Sequence, residues 1–307
     1  MIFARRCAVA GVAWYPVDTG MFVSSSFEKV IKVWDTNRAA PAVSFKVAEK
    51  ILSLALPCAA ARHVLIAAGG ADRNIYICDM RTGSKVQTLA GHRDAVLCLA
   101  WSPGEEFVLA SGGREGQICL WDIRKAKSCI ALMQRYDGPG GAAGASTAHE
   151  GGVRGLLYVH HGRDLVSSGC DGRVCLWNTH TCSSLVVNFG SFVRPRRAQG
   201  GQAGYLCLPM AASRDGTVLY HPRGKDVAVC SLGTGRRISN LKGHFEDATC
   251  CAVHPGTESL FSAGLDTNIL EWAQPNVLDP LGAAAAAGEE EGGLDLDVDD
   301  HGDAWSD

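Results

Sequence analysis

The sequence predicts an all-β propeller, in which four-stranded sheets, or blades, are arranged radially around a central channel. One observation is that similar short apolar strands recur along the chain and end at Trp34, Cys78, Trp121, Trp177, Cys230 and Trp272. A second is that these ends are 44, 43, 56, 53 and 42 residues apart. A blade of four short strands needs a repeat of about 40–45 residues. The sequence therefore predicts a propeller over residues 1–278, with blades ending near 35, 79, 122, 178, 231 and 272.

The six repeats differ in how completely they match this pattern. In the first, third and fourth, the strand ends in Trp-Asp or Trp-Asn, whereas Cys78 replaces tryptophan in the second. The fifth repeat, ending at Val229-Cys230-Ser231, is the weakest, and the sixth ends at Glu271-Trp272. Two long intervals contain the stretches 138–144 and 190–204, which we interpret as insertions in surface loops. Together, the period and the Trp-Asp ends are typical of WD repeats.

Three repeats carry a second motif, which predicts a hydrogen-bonded brace inside each blade. A histidine lies 28 or 29 residues before the tryptophan, an acid lies six before it, and a serine lies four before the acid. The acid can orient the histidine, while the serine hydroxyl accepts from the indole N–H. The three sets are His92, Ser111, Glu115 and Trp121; His149, Ser167, Asp171 and Trp177; and His244, Ser262, Asp266 and Trp272.

A Ser/His/Asp set also suggests a catalytic triad, but such a triad is assembled once, in one pocket. Here the set recurs at one spacing, and no Gly-x-Ser-x-Gly elbow is present. We therefore predict structural braces, no catalytic residues and a non-enzymatic protein.

The 13 cysteines suggest neither a disulfide framework nor a metal site. Their odd number and their positions inside apolar strands favour free thiols in a reducing compartment. The densest group, Cys170, Cys175, His180 and Cys182, matches no usual zinc-ligand spacing. We predict no metal and no cofactor.

Composition excludes other classes of function. Hydrophobic residues make up 47% of the chain and charged residues 20%, as in an ordinary globular protein. The net charge of −3 gives no general attraction to nucleic acid, so no direct sequence-specific DNA binding is expected. No run of 18 apolar residues is present, so no membrane association is expected.

Beyond the repeat pattern, the chain resembles the Cockayne syndrome group A family of WD-repeat proteins over essentially its whole length. The segments that carry this resemblance include Trp14-Tyr15-Pro16, Lys32-Val33-Trp34-Asp35-Thr36-Asn37, Thr147-Ala148-His149, Leu176-Trp177-Asn178, Leu241-Lys242-Gly243-His244, Asn268-Ile269-Leu270 and Asp303-Ala304-Trp305-Ser306. The resemblance implies a nuclear substrate-recognition subunit of a cullin-RING E3 ubiquitin ligase in transcription-coupled nucleotide excision repair. Its implied partners are the adaptor DNA damage-binding protein 1 with cullin-4 and a RING subunit, the Cockayne syndrome group B protein and stalled RNA polymerase II.

The resemblance also implies a seven-bladed ring with an N-terminal arm, of which six blades are visible in this sequence. The arm and the first blade have no counterpart here. The alternative function is a WD-repeat scaffold of another nuclear complex with no ligase role.

The resemblance implies docking onto the adaptor through the narrow face of the propeller, and many receptors of this class carry a repeat that ends in Trp-Asp-x-Arg with an acid upstream. In this chain the matching residues are Asp122, Arg124 and Glu115, and Arg81 in Asp79-Met80-Arg81 is a weaker copy. An arginine just past a strand end can reach a partner's carboxylate or carbonyls. From the residues alone, an ordinary solvated turn arginine fits equally well.

The final segment, residues 279–307, predicts a disordered acidic tail. It contains Glu289-Glu290-Glu291 and an alternation of aspartates with apolar residues. Such a composition buries too little surface to offset the entropy of ordering. Trp305 in this setting resembles a short docking peptide, and an inert tail fits equally well.

Overall fold

A computed structural model describes residues 8–58, 61–125, 129–134, 147–190, 192 and 207–273, and these form six antiparallel sheets. The predicted six-bladed propeller is therefore confirmed. Blades one to three comprise β1 (Val9–Trp14), β2 (Met21–Ser26), β3 (Val30–Asp35), β4 (Ala40–Lys46), β5 (Ile51–Ala55), β6 (Leu65–Gly70), β7 (Asn74–Asp79), β8 (Ser84–Ala90), β9 (Val96–Trp101), β10 (Val108–Gly113), β11 (Ile118–Asp122) and β12 (Cys129–Met133). Blades four to six comprise β13 (Val153–Val159), β14 (Asp164–Gly169), β15 (Val174–Asn178), β16 (Ser183–Leu185), β17 (Ala211–Ala212), β18 (Val218–Arg223), β19 (Asp226–Ser231), β20 (Arg237–Lys242), β21 (Ala248–Val253), β22 (Leu260–Gly264) and β23 (Ile269–Trp272).

Each blade is a meander whose strands pair in chain order. The Trp-Asp pairs and their substitutes end the third strand of a blade, as the repeat spacing requires. Because successive strands are antiparallel, the turn after the first strand and the turn after the third lie at the same end of the blade. The only helical element described is a 3₁₀ turn, His160–Gly162, between β13 and β14.

The hydrophobic core lies between neighbouring blades, and the third blade shows how it is built. Residues alternate along its strands, so Leu109 and Trp121 point to one face and Ala110 to the other. Leu109 and Trp121 pack against Ile77 and its neighbours in blade two. Ala110 packs against Val153 and its neighbours in blade four. We call these the preceding face and the following face of a blade.

Glycine permits the close approach of one blade to the next at the turn between β10 and β11. Gly116 has φ +84°, in the left-handed region that favours glycine. A Cβ at this position would clash with the backbone oxygen of His149, which precedes the first strand of blade four. Both the backbone conformation and the contact therefore require glycine.

Several predicted features lie outside the described residues. These are the acidic tail at 279–307, the insertion at 138–144 and most of the insertion at 190–204. None of the helical structure that is described has the length and apolar character needed to cross a bilayer.

Candidate functional site

The brace in blade three links four side chains into one hydrogen-bonded set. His92 Nδ1 lies 2.6 Å from Glu115 Oε1, and His92 Nε2 lies 2.6 Å from Ser111 Oγ. The Trp121 indole N–H also donates to Ser111 Oγ, at 2.6 Å. Since Nδ1 faces a carboxylate, a neutral ring carries its proton there and accepts from the serine through Nε2.

Blade four repeats this arrangement in full, and blade six repeats its contacts among histidine, acid and serine. In blade four, His149 Nδ1 lies 3.1 Å from Asp171, its Nε2 lies 2.8 Å from Ser167, and the Trp177 indole donates to the same hydroxyl at 2.8 Å. In blade six, His244 lies 3.1 Å from an Asp266 oxygen and 2.8 Å from Ser262. Trp121 and Trp177 are fully buried, whereas Trp272 is only half-buried.

The brace acids are held ionised by their surroundings. For Asp266, burial alone would raise the pKa, but hydrogen bonds from the backbone N–H of Phe245 and from His244 outweigh it and lower the pKa to about 2. The same balance of burial against hydrogen bonds from histidine and backbone lowers the pKa of Glu115 and of Asp171. Because each brace histidine is buried with both ring nitrogens bonded, the arrangement stabilises its own blade and leaves no ring nitrogen free to act as a base.

Arg124 lies past the end of β11 and combines fixed geometry with exposure. Its Nε and Nη2 donate to the two carboxylate oxygens of Asp122, at 2.9 and 3.0 Å. Its guanidinium lies over the ring of Phe107, 4.9 Å from the centroid. The Arg124 side chain is nevertheless 59% exposed, while that of Asp122 is 4% exposed. The hydrogen bonds from Arg124 hold the pKa of Asp122 at about 2, so the pair is ionic at neutral pH.

A groove of about 560 Å³ lies beside Arg124, between blades two and three. Its blade-three side is formed by the turn between β9 and β10, which includes Glu105, Glu106 and Phe107. Its blade-two side includes Arg62, whose backbone N–H donates to Glu106 at 2.9 Å. A guanidinium has five N–H donors, and the bonds to Asp122 use two of those on Arg124, so three are not engaged by that carboxylate.

The other residues predicted to bind a partner occupy different settings. Arg81 is exposed past the end of β7, where its backbone N–H donates to Asp79 at 2.8 Å. Glu115 belongs to the brace of blade three, and its side chain is largely buried. In the structure, Asp122 orients Arg124 and Glu115 orients His92. Of the four predicted residues, the two arginines are the ones with exposed side chains.

Sequence reasoning missed Phe107, Arg62 and Glu106, which complete the surroundings of Arg124. None of them belongs to the repeat motif, and Arg62 comes from another blade, so no sequence spacing identifies them. The Cys170, Cys175 and Cys182 thiols are free, and no group of three metal-binding side chains occurs within the described residues.

Three comparisons place the chain among known proteins. The family model described as WD domain, G-beta repeat matches residues 83–122, 144–178 and 235–272. WD repeat-containing protein ATCSA-1 of Arabidopsis thaliana is 30% identical over 88% of this chain and 72% of its own length. Radiation-sensitive protein 28 of Saccharomyces cerevisiae is 25% identical over 58% of this chain and 39% of its own length. A chain in the crystal structure of the mitotic checkpoint complex has the same fold, with a TM-score of 0.70 and 18% identity over 88% of this chain and 76% of that chain.

Proposed function

The chain belongs to the WD-repeat family, and from this premise we propose that it is the substrate-recognition subunit of a cullin-RING ubiquitin ligase in transcription-coupled nucleotide excision repair. It resembles the Cockayne syndrome group A protein. In this role the propeller binds proteins and performs no chemistry itself. Its partners are the adaptor DNA damage-binding protein 1 with cullin-4 and a RING subunit, the Cockayne syndrome group B protein and stalled RNA polymerase II. The complex acts in the nucleus.

The observation that carries this proposal is the setting of Arg124. An exposed arginine normally loses side-chain entropy when it binds a partner. Here Asp122 and Phe107 already hold the guanidinium in one orientation, so less entropy is lost on binding. The similarity to the Arabidopsis protein over most of both chains gives independent support.

A second candidate is a scaffold of another nuclear complex with no ligase role. The structural likeness to a chain of the mitotic checkpoint complex concerns the fold alone, and many different assemblies use propellers. Binding to the adaptor therefore separates the two candidates.

The test is titration calorimetry of the full chain with purified adaptor. We expect Arg124→Ala to weaken binding by about tenfold or more, since central arginines often dominate interfaces. The matched control is Arg38→Ala, because Arg38 is 84% exposed and pairs with Asp35 beyond the same strand end in blade one. Its affinity should equal that of the wild type.

Two results would contradict the proposal. If the wild-type chain shows no binding to the adaptor, the ligase role is wrong and the scaffold role is favoured. If wild type and Arg124→Ala bind equally, with equal melting temperatures, then Arg124 is not part of the interface.

A further inference from the structure

The preceding face of blade one carries a ladder of three aromatic side chains, of which one is exposed and two are half-buried. Trp14, Phe22 and Trp34 lie opposite one another on β1, β2 and β3. Their rings are in contact, with centroids 5.6 Å apart for Trp14–Phe22 and 5.9 Å apart for Phe22–Trp34. Val12, on the same face, and Trp14 are each 62% exposed.

The equivalent ladder in blade three shows what such a face normally contacts. There Trp101, Leu109 and Trp121 occupy the same register on β9, β10 and β11. They pack against the following face of blade two, and Trp101 is only 7% exposed. The ladder of blade one therefore has the residues of a blade-to-blade junction without its burial.

The following face of blade six is also more exposed than the same face of blade three. Ile269 lies three residues before Trp272, as Ile118 lies three residues before Trp121. Ile118 is fully buried against blade four, whereas Ile269 is 75% exposed. Phe261 and Ala263, which lie on the same face by strand alternation, are only half-buried.

We propose that these two faces bind each other between two copies of this chain, the aromatic ladder of blade one in one copy against the Ile269 face of blade six in the other. Each junction between neighbouring blades joins a preceding face to a following face. The exposed face of blade one is a preceding face, and that of blade six is a following face. Charge also matches, because Lys32 lies beside the ladder, over the Trp34 ring, and Glu271 lies two residues from Ile269. This contact is independent of the proposed ligase role.

The geometry fixes the type of assembly. The two surfaces differ, so the contact is heterologous. A copy whose blade-one face is occupied still has a free blade-six face, and the reverse also holds. The chain should therefore form dimers that extend further as its concentration rises, rather than stopping at a symmetric pair. Exposed apolar patches of this kind on other proteins mark binding sites for further chains.

The first test is light scattering of the full chain after size-exclusion chromatography, from about 1 to 100 µM, a range that covers micromolar affinity. We expect the wild-type mass to rise beyond twice the 32.5 kDa of one chain. Trp14→Lys and Ile269→Lys should each raise the dissociation constant for self-association by about tenfold or more, because each places a charge in an apolar contact. The controls are Val86→Lys and Ile238→Lys, whose side chains lie elsewhere on the surface and are each 59% exposed, and both variants should associate like the wild type.

The second test is mixing the two variants. Trp14→Lys retains an intact blade-six face and Ile269→Lys retains an intact blade-one face, so the mixture should form a one-to-one heterodimer that cannot extend. A wild type that stays monomeric throughout, variants that associate like the wild type, or a mixture that forms no heterodimer would each overturn the proposal.

Discussion

At the scale of single residues, the most informative pair is Asp122 and Arg124. The carboxylate is buried and accepts from both the backbone N–H and the side chain of Arg124. The aspartate of this Trp-Asp-x-Arg sequence therefore orients the arginine two residues later. The exposed guanidinium is consequently held in one orientation by its contacts, even though it lies in a turn.

The Asp122 pair should make stability depend on pH. The folded pKa of about 2 lies below the value of about 3.9 for an unfolded aspartate, so the contribution to stability is complete above about pH 4. It is lost as the pH falls from there towards 2. We expect the urea midpoint of the wild type to exceed that of Asp122→Asn by a constant amount between pH 5 and 7, and by less at pH 3. A difference that grows on acidification would contradict this.

Trp177 should contribute strongly to the stability of its blade. It is fully buried and donates to Ser167, so Trp177→Ala should lower the free energy of unfolding by about 3–5 kcal/mol. Phe245→Ala is the control, because that side chain is 76% exposed and its loss should cost less than about 1 kcal/mol. Urea denaturation measures both. Since Trp272 is half-buried, its replacement should cost less than that of Trp177.

At the scale of strands and turns, the brace ties three parts of the repeat together. The histidine precedes the first strand, the serine lies in the second, the acid lies in the following turn and the tryptophan lies in the third. One buried serine hydroxyl thus accepts from the indole N–H and donates to the histidine Nε2 in blades three and four. Removing either partner would leave a buried polar group unsatisfied, which is unfavourable in a low-dielectric interior.

Two glycines with positive φ differ in their surroundings. Comparing them separates the cost of the backbone conformation from the cost of a clash with a neighbouring segment. Gly116 and Gly190 both have positive φ, but a Cβ would clash only at Gly116, while nothing lies within 4 Å at Gly190. Gly190→Ala should therefore cost about 1–2 kcal/mol from backbone conformation alone. Gly116→Ala should cost at least about 2 kcal/mol more. Equal melting temperatures for the two variants would show that the turn can move away from His149.

At the scale of the whole molecule, the net charge bears on whether the chain binds nucleic acid. The net charge of −3 gives duplex DNA no general attraction to the chain. We expect fluorescence anisotropy with a labelled duplex to give a dissociation constant weaker than about 10 µM at physiological salt, with no dependence on sequence. A sequence-dependent affinity in the nanomolar range would show that the chain reads DNA directly.

The sequence by itself determined the blade pattern and the composition of the braces. Both depend on local spacing: a blade has a fixed length, and the distances among His92, Ser111, Glu115 and Trp121 follow from strand and turn lengths. Since the same spacing recurs in blades four and six, the pattern could be recognised without coordinates.

Only the tertiary structure decided which of these residues are exposed and what surrounds them. Trp14 and Trp101 occupy the same position in their blades, yet one is exposed and the other buried, because burial depends on what packs against the face. Similarly, Phe107 orients Arg124 from another turn, and Arg62 reaches the same groove from another blade. Contacts between segments far apart in sequence have no fixed spacing, so only the packed structure shows them.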